Sequence, residues 1–299
     1  MKKVLITGGT GLVGGRLIEK FDQCIVTTRN AKTARQKLPG DVDLIEWPSF
    51  NKPLDLSQAG KIDAVVNLMG ESLASGRWNH QKKMRIRDSR VIATNRLVEA
   101  IGNLDTKPEC IISASAVGYY GDEDAREITE ECEPGSGFLP DVCQQWEAAA
   151  NALSDLSIRV VNLRIGVVMA RNGGALAEML PIFKKGIGGR LGNGNQYFPW
   201  IHIDDLVRLI HWAVHHPISG PVNGTAPNPV TNREFTKTLS ATINRPALFP
   251  VPKFALKLAL GEFAESLFVS QRVVPAAALA AGFNFQYADL QSALENILK

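Results

Sequence analysis

The segment Thr7-Gly8-Gly9-Thr10-Gly11-Leu12-Val13-Gly14 places glycines at 8, 11 and 14, after the apolar run Val4-Leu5-Ile6 and ahead of Leu12, Val13, Leu17 and Ile18 at helical spacing. A strand that turns through glycines into a helix can cradle a pyrophosphate. The glycines permit the tight turn, let the backbone approach the phosphates without a Cβ, and allow the helix to pack closely on the strand. The helix start adds free N–H groups and the positive end of its dipole. Position, spacing and a second strand at Cys24–Thr28 together point to a dinucleotide site.

The end of that second strand refines the expectation. An acidic residue there would grip the 2′-hydroxyl of NAD, but the sequence has Thr28-Arg29-Asn30, and no carboxylate follows before Asp41. An arginine in that place suits a 2′-phosphate, so NADP(H) is expected over NAD(H).

Further along, GGRLGNGNQYFPWIH combines loop glycines with Arg190, Gln196, Tyr197, Phe198 and Trp200. This mixture suits closure over a polar substrate with an apolar body, with Arg190 meeting a carboxylate or phosphate. His202, Asp204 and Asp205 have the residue types of metal ligands. The alternation there turns into a helix over 206–214, however, which makes Asp204 its expected N-cap. His211 and His215 lack an HExxH context, and no metal is expected.

The elements that must position these residues follow from apolar runs. Strands are expected at Leu44–Trp47, Ala64–Leu68, Cys110–Ala114 and Ile158–Leu163, with helical patterns between most of them. Such runs imply a parallel sheet covered on both faces, hence an α/β Rossmann fold, doubly wound, with a smaller C-terminal substrate-binding lobe. Residues 1–165 form the expected cofactor domain, rejoined by about 200–225, and 166–299 mainly the second lobe. Within that lobe, apolar spacing over 251–267 is helical, Phe283 and Phe285 alternate like a short strand, and Leu290, Leu294, Ile297 and Leu298 share a helix face.

The 299 residues, 45% hydrophobic and 21% charged, fit a globular enzyme and exclude a disordered or fibrous chain. A net charge of +3, with basic residues scattered except around Lys82–Arg90, gives no nucleic-acid footprint and favours a small-molecule partner. Cys24, Cys110, Cys132 and Cys143 lie far apart, as free thiols would. No run is long enough to span a bilayer and no signal peptide is evident, so a cytoplasmic protein without a membrane partner is expected. A homodimer is left open.

Four blocks, TGGTGLVG, NLMG (Asn67–Gly70), SASAVGYYG (Ser113–Gly121) and WIHIDDLV (Trp200–Val207), resemble the extended short-chain dehydrogenase/reductases along most of the chain. More narrowly, RWN, DSRVIAT, CQQWEAAA, QYFPWIHIDDL and VVPAAALAAGFNF are similar to the YfcH-like epimerase-family proteins. These form an atypical branch ending in a domain of unknown function. The resemblance implies that Gly8, Thr10, Gly11, Leu12, Val13 and Gly14 belong to the pyrophosphate cradle and that Thr28 and Arg29 meet the adenosine phosphate. It places Leu68, Met69 and Gly70 on the ribose and adenine side, lets Arg90 reach the cofactor, and makes the main chain from Arg164 to Gly166 frame the nicotinamide.

Hydride chemistry in that superfamily uses a serine and a Tyr-x-x-x-Lys pair, the lysine lowering the tyrosine pKa. Ser115 stands where the serine is expected. Aligned on Trp146-Glu147, the pair's places hold Leu139 and Cys143, and neither a tyrosine nor a lysine occurs between Gly121 and Lys184. Tyr119 and Tyr120 are substitute candidates, Tyr119 the better, although the sequence fixes no cation beside them. Two functions follow. One is an NADP-dependent oxidoreductase or nucleotide-sugar-epimerase-like enzyme on a small molecule, using Ser115 and Tyr119. The other is a non-catalytic NADP(H)-binding sensor.

Overall fold

Apolar strands flanked by amphipathic helices must bury both sheet faces, and the computed structural model, which describes residues 2–299, does so with seven parallel strands. The first five are β1 (Lys3–Thr7), β2 (Gln23–Thr28), β3 (Asp43–Glu46), β4 (Ala64–Asn67) and β5 (Cys110–Ala116). Helices α1 (Leu12–Ile18), α2 (Ala31–Arg35), α3 (His80–Asp88) and α4 (Val91–Gly102) lie between them. Strand β6 (Glu127–Ile128), helix α5 (Phe138–Asn151) and strand β7 (Arg159–Ile165) follow. The chain then leaves the sheet through β8 (Val167–Met169), α6 (Gly174–Lys184), β9 (Tyr197–Phe198) and β10 (Trp200–His202). It returns by α7 (Ile203–His215) to β11 (Gly220–Gly224). The remainder is β12 (Val230–Thr231), α8 (Asn232–Thr242), α9 (Lys253–Leu260), α10 (Phe263–Ser266), β13 (Arg272–Val273), α11 (Ala276–Ala280) and α12 (Leu290–Leu298).

Strand order is β3-β2-β1-β4-β5-β7-β11, and the direction of winding reverses between β1 and β4. Ligands of doubly wound sheets bind at the carboxyl ends beside such a reversal. The two-residue period sorts the core. Val4 and Ile6 of β1 pack with α1 and α7 on one face, while Leu5 packs with Leu97 and Ile101 of α4 on the other. A third cluster gathers Leu176, Trp200, Phe235, Leu239 and Leu294 from the second lobe.

Strand β11 escaped the sequence pattern because GPVNG holds one apolar side chain, Val222. Polar anchors hold this edge strand. The Asn223 N–H donates to Glu130, and its side chain donates to the Val274 carbonyl and accepts from the Tyr120 hydroxyl. Phe283 and Phe285 do not form the expected strand. Their rings pack edge to face at 4.8 Å, and the Asp205 carboxylate takes the next two N–H groups, of Gln286 and Tyr287. The cap of α7 also differs from expectation. His202 is the N-cap, its Nδ1 accepting the Asp204 N–H at 3.0 Å, and Asp204 instead pairs with Arg16.

Candidate functional site

The carboxyl ends of β1, β4 and β5 are tied by a buried polar chain. Register places Thr7 beside Asn67 and Asn67 beside Ser113. Thr7 donates to Asn67 Oδ1 at 2.7 Å, and the Asn67 amide donates to Thr94 and Ser113. Trp146 of α5 donates to the same Thr94 hydroxyl, so both helices of one face are fixed to the strand ends. Satisfied networks of this kind hold the loops above them in one geometry.

Above that chain lies the glycine turn. Gly8 has φ +71°, and a Cβ there would sit 2.6 Å from the Leu68 carbonyl oxygen. A Cβ on Gly14 would collide with the Gly8 carbonyl. These two glycines therefore bring turn, helix and β4 loop together. No side chain caps α1, which leaves the N–H groups of its first turn without an internal partner. Leu12 packs under Gly173 of the second lobe.

Beside the turn, Thr10, Thr28, Arg29, Asn30, Thr33, Ala34 and Lys37 line a cleft of about 400 Å3. Among the described residues neither Arg29 nor Lys37 forms an ion pair. Thr33 and Lys37 were missed in the sequence because Thr33 sits on the short helix α2 (Ala31–Arg35), capped by the Asn30 side chain, and Lys37 just after it, and this segment folds back beside Arg29. The expectation that no carboxylate approaches is corrected. Glu46 reaches the loop to accept the Ala31 N–H, and Arg29 is close enough to help hold the Glu71 carboxyl below its ordinary range. The main cause of that shift is the hydrogen bond from Lys82, a wholly buried lysine that also donates to Ser75. Arg85 lies 3.7 Å from the same carboxylate. Glu71 is thus already claimed.

Arg90 lies beside the loop that follows β4. Its guanidinium donates to the carbonyls of Ile86 and Glu71, lies against Gly70 and stacks over Trp146. It shapes the loop that carries Leu68, Met69 and Gly70.

At the end of β5, Ser115 is buried and donates from Oγ to Glu147 Oε1 at 2.6 Å. The same carboxylate takes two hydrogen bonds from Arg164, each 2.9 Å. Arg164, the register neighbour of Ser115, also donates to the Tyr120 hydroxyl and the Glu130 carbonyl. Burial works to lower the pKa of Arg164, but Glu147 and Tyr120 outweigh it and hold the guanidinium above its ordinary value. Arg164 is therefore spent inside the protein, and only its main chain is left for the cofactor side.

The two tyrosines have the cation that the sequence did not reveal. Arg164 lies 3.5 Å from the centre of the Tyr119 ring and 5.0 Å from that of Tyr120. Tyr120 is fully buried, and burial pushes its phenol up to about 12 against the pull of Arg164. Tyr119 is partly exposed and packs edge-on against it. Cys143, in the lysine's place, is buried beside Ser115, and burial pushes its thiol up to about 12. Glu147 was visible in the sequence only as an alignment landmark. The signal was a lone acid among Trp146, Ala149 and Ala150 on a buried helix face.

In the second lobe, Gly166 donates its N–H to Gly224, and a Cβ there would strike the Pro199 carbonyl. Arg190 keeps a buried Nε with no hydrogen-bond partner among the described residues. Gln196 donates to the Leu191 carbonyl, and the Tyr197 ring lies under Arg272. Trp200 does not face a substrate. It is 1% exposed, and its indole donates to Asn228, because β10 points it into the lobe core.

Residues 4–226 match the NAD dependent epimerase/dehydratase family, and residues 251–297 match a domain of unknown function, DUF1731. The epimerase family protein ML0860 of Mycobacterium leprae is 38% identical over 97% of this chain and 94% of its own length. A chloroplastic homologue of epimerase family protein SDR39U1 from Arabidopsis thaliana is 38% identical, covering 99% and 86%. The crystal structure of human epimerase family protein SDR39U1 with NADPH superposes with a TM-score of 0.87 at 32% identity, covering 99% of this chain and 98% of that one.

Proposed function

The chain belongs to the NAD dependent epimerase/dehydratase family, and from that premise we propose that it binds NADP(H) in preference to NAD(H) and acts as an oxidoreductase or epimerase-like enzyme on a small molecule. The observation that carries the reading is the cleft holding Arg29 and Lys37, two cations that form no ion pair among the described residues, with Thr10, Thr28 and Thr33 around it. A 2′-phosphate supplies the charge this cleft lacks. The NADPH in the human SDR39U1 structure supports the same choice.

Bound NADP(H) would supply or take up a hydride. The uncapped first turn of α1 and the glycine turn would hold its pyrophosphate, and the main chain of Arg164–Gly166 would run beside its nicotinamide. Ser115 has committed its proton to Glu147, so its oxygen is left as an acceptor for a substrate hydroxyl. Tyr119 is the remaining candidate for proton exchange. Arg190, with its unsatisfied Nε, would take an anionic group of the substrate. Four free cysteines, three of them buried, suit a reducing compartment, and the cytoplasm is the location we assign.

One observation favours a second reading, a non-catalytic NADP(H) sensor. Leu139 and Cys143 hold the places of the proton-donating pair, and a thiol at about 12 cannot replace an ammonium. Mixing the protein with NADPH and a panel of small carbonyl and hydroxyl compounds, while following nicotinamide absorbance, separates the two. Turnover that falls in Ser115→Ala and Tyr119→Phe supports the enzyme. Tight NADPH binding without turnover supports the sensor.

A further inference from the structure

Of nine large apolar side chains left exposed among the described residues, six belong to one region of the second lobe: Ile182, Ile187, Leu248, Phe249, Phe254 and Leu258. Four of these, Leu248, Phe249, Phe254 and Leu258, are between 73% and 77% exposed, against 41–47% for Met84, Leu156 and Leu279 elsewhere. Local geometry brings them together. The Val251 N–H donates to the Arg190 carbonyl, and the Gly192 N–H donates back to Val251, so the loops around 186–192 and 246–252 run side by side. Helix α9 starts directly after, at Lys253. None of its residues is buried, and Phe254 and Leu258 stand one turn apart on the same stripe. Contiguous apolar surface of this kind marks an interaction site.

Charge identifies the partner. Residues 181–200 and 241–260, which carry the six apolar side chains, contain Lys184, Lys185, Arg190, Arg245, Lys253 and Lys257 and no aspartate or glutamate. Lys257 pairs with Glu265 and Arg190 has its Nε buried, which leaves Lys184, Lys185, Arg245 and Lys253 as the exposed cations free of ion pairs among the described residues. The whole chain has a net charge of only +3. A second copy meeting this face about a two-fold axis would set like charges opposite one another. The apolar groups project from a loop and from α9, a helix with no buried residue, with cations along their flanks. Basic amphipathic segments of this form lie in the interface of a bilayer, apolar side chains at the acyl boundary and lysines among anionic headgroups.

We infer that this face docks the protein on an anionic lipid surface, with Leu248, Phe249, Phe254 and Leu258 entering the headgroup boundary. The expectation of no membrane partner rested on the absence of a spanning run, and among the described residues no helix is long and apolar enough to cross a bilayer. Peripheral docking requires none. The inference is independent of the proposed chemistry, since none of these four residues belongs to the cofactor cleft or to the Ser115 cluster.

The test is sedimentation of the full chain with vesicles of phosphatidylcholine alone or with about 30% phosphatidylglycerol, an anionic lipid. The protein should pellet with the anionic vesicles only and be released by about 0.5 M salt. Leu248→Ser with Phe249→Ser should lower partition by at least about tenfold. Lys184→Glu with Lys185→Glu should do the same through charge. Thermal melting and NADPH binding of both double variants should match the parent, which separates lost docking from lost folding. Absence of pelleting with anionic vesicles, or equal pelleting with both compositions, overturns the inference. So does self-association by light scattering that disappears in Leu248→Ser/Phe249→Ser, which would assign the face to a second copy. Binding of polyglutamate without vesicle binding would assign it to an acidic protein.

Discussion

Arg29 and Lys37 line one cleft and form no ion pair among the described residues, and that sets the first expected outcome at the residue scale. Arg29→Ala should weaken NADPH by about ten- to hundredfold, as loss of a charge-assisted contact does, and leave NADH nearly unchanged. Isothermal titration with both cofactors reads the difference, and equal losses would sink the 2′-phosphate assignment. Glu147 supports a second outcome. Glu147→Gln removes the carboxylate that takes both Arg164 bonds and the Ser115 hydroxyl, leaving a buried guanidinium uncompensated. Urea denaturation should show a loss of about 3–5 kcal/mol. The glycines of the turn, Arg29 and Ser115 were legible because each sits at a strand end that the apolar pattern fixes. Glu147, Lys37 and Glu71 were not, since their roles depend on which helix is folded against which strand. The same limit hid how Arg164 and Arg90 are held: a sequence shows a cation near a strand end but not the carboxylate or carbonyls that bind it.

At the scale of elements, α7 starts on an unusual cap. His202 accepts the Asp204 N–H through Nδ1, so it must be neutral there, and burial holds its pKa below the ordinary value of 6.5. A base with a depressed folded pKa contributes stability that is present above its unfolded pKa and lost as pH falls below it. Circular-dichroism melts should therefore show a decline below about pH 6.5 that His202→Asn, which keeps a capping acceptor, reduces. An unchanged acid limb in the variant would refute the assignment. Helix α1 gives a second outcome. Gly14→Ala drives a methyl into the Gly8 carbonyl and should cost about 1–3 kcal/mol along with most cofactor affinity, read from the same melts and titrations. Strands with continuous apolar runs were legible in advance. Strand β11 was not, because Glu130, Tyr120 and Val274 hold it through Asn223, and polar anchoring leaves no periodic mark.

Across the whole molecule, four buried acids respond together to alkali, and burial raises the Cys110 thiol along with three others. Burial raises Cys24 to about 11, and Tyr120 and Cys143 to about 12, each above its model-peptide value. Their protonated forms are favoured by the fold, so their contribution is fully present below the unfolded values near 9 to 10 and is lost as pH rises toward 12. Stability measured by urea should fall steadily above pH 9, and Cys143→Ala should flatten part of the slope. The sheet's architecture was readable from the alternation of strands and helices, and the excursion between β7 and β11 from the change in composition after Arg164. How the tail closes on the first half was not readable. Glu130 binds both β11 and the start of α11, while Asp205 takes the N–H groups of Gln286 and Tyr287, contacts across long stretches of chain.

Strand β11 completes the sheet only after the chain has travelled through β8, α6, β9, β10 and α7. A ribosome making this protein has therefore released β7 with an open edge well before Gly220–Gly224 exists to cover it. For that interval the nascent chain carries an unpaired row of N–H and C=O groups that another strand could capture. Synthesis rate through residues 166–224 thus becomes a control on yield, and slowing translation there should raise the aggregated fraction without altering the finished fold.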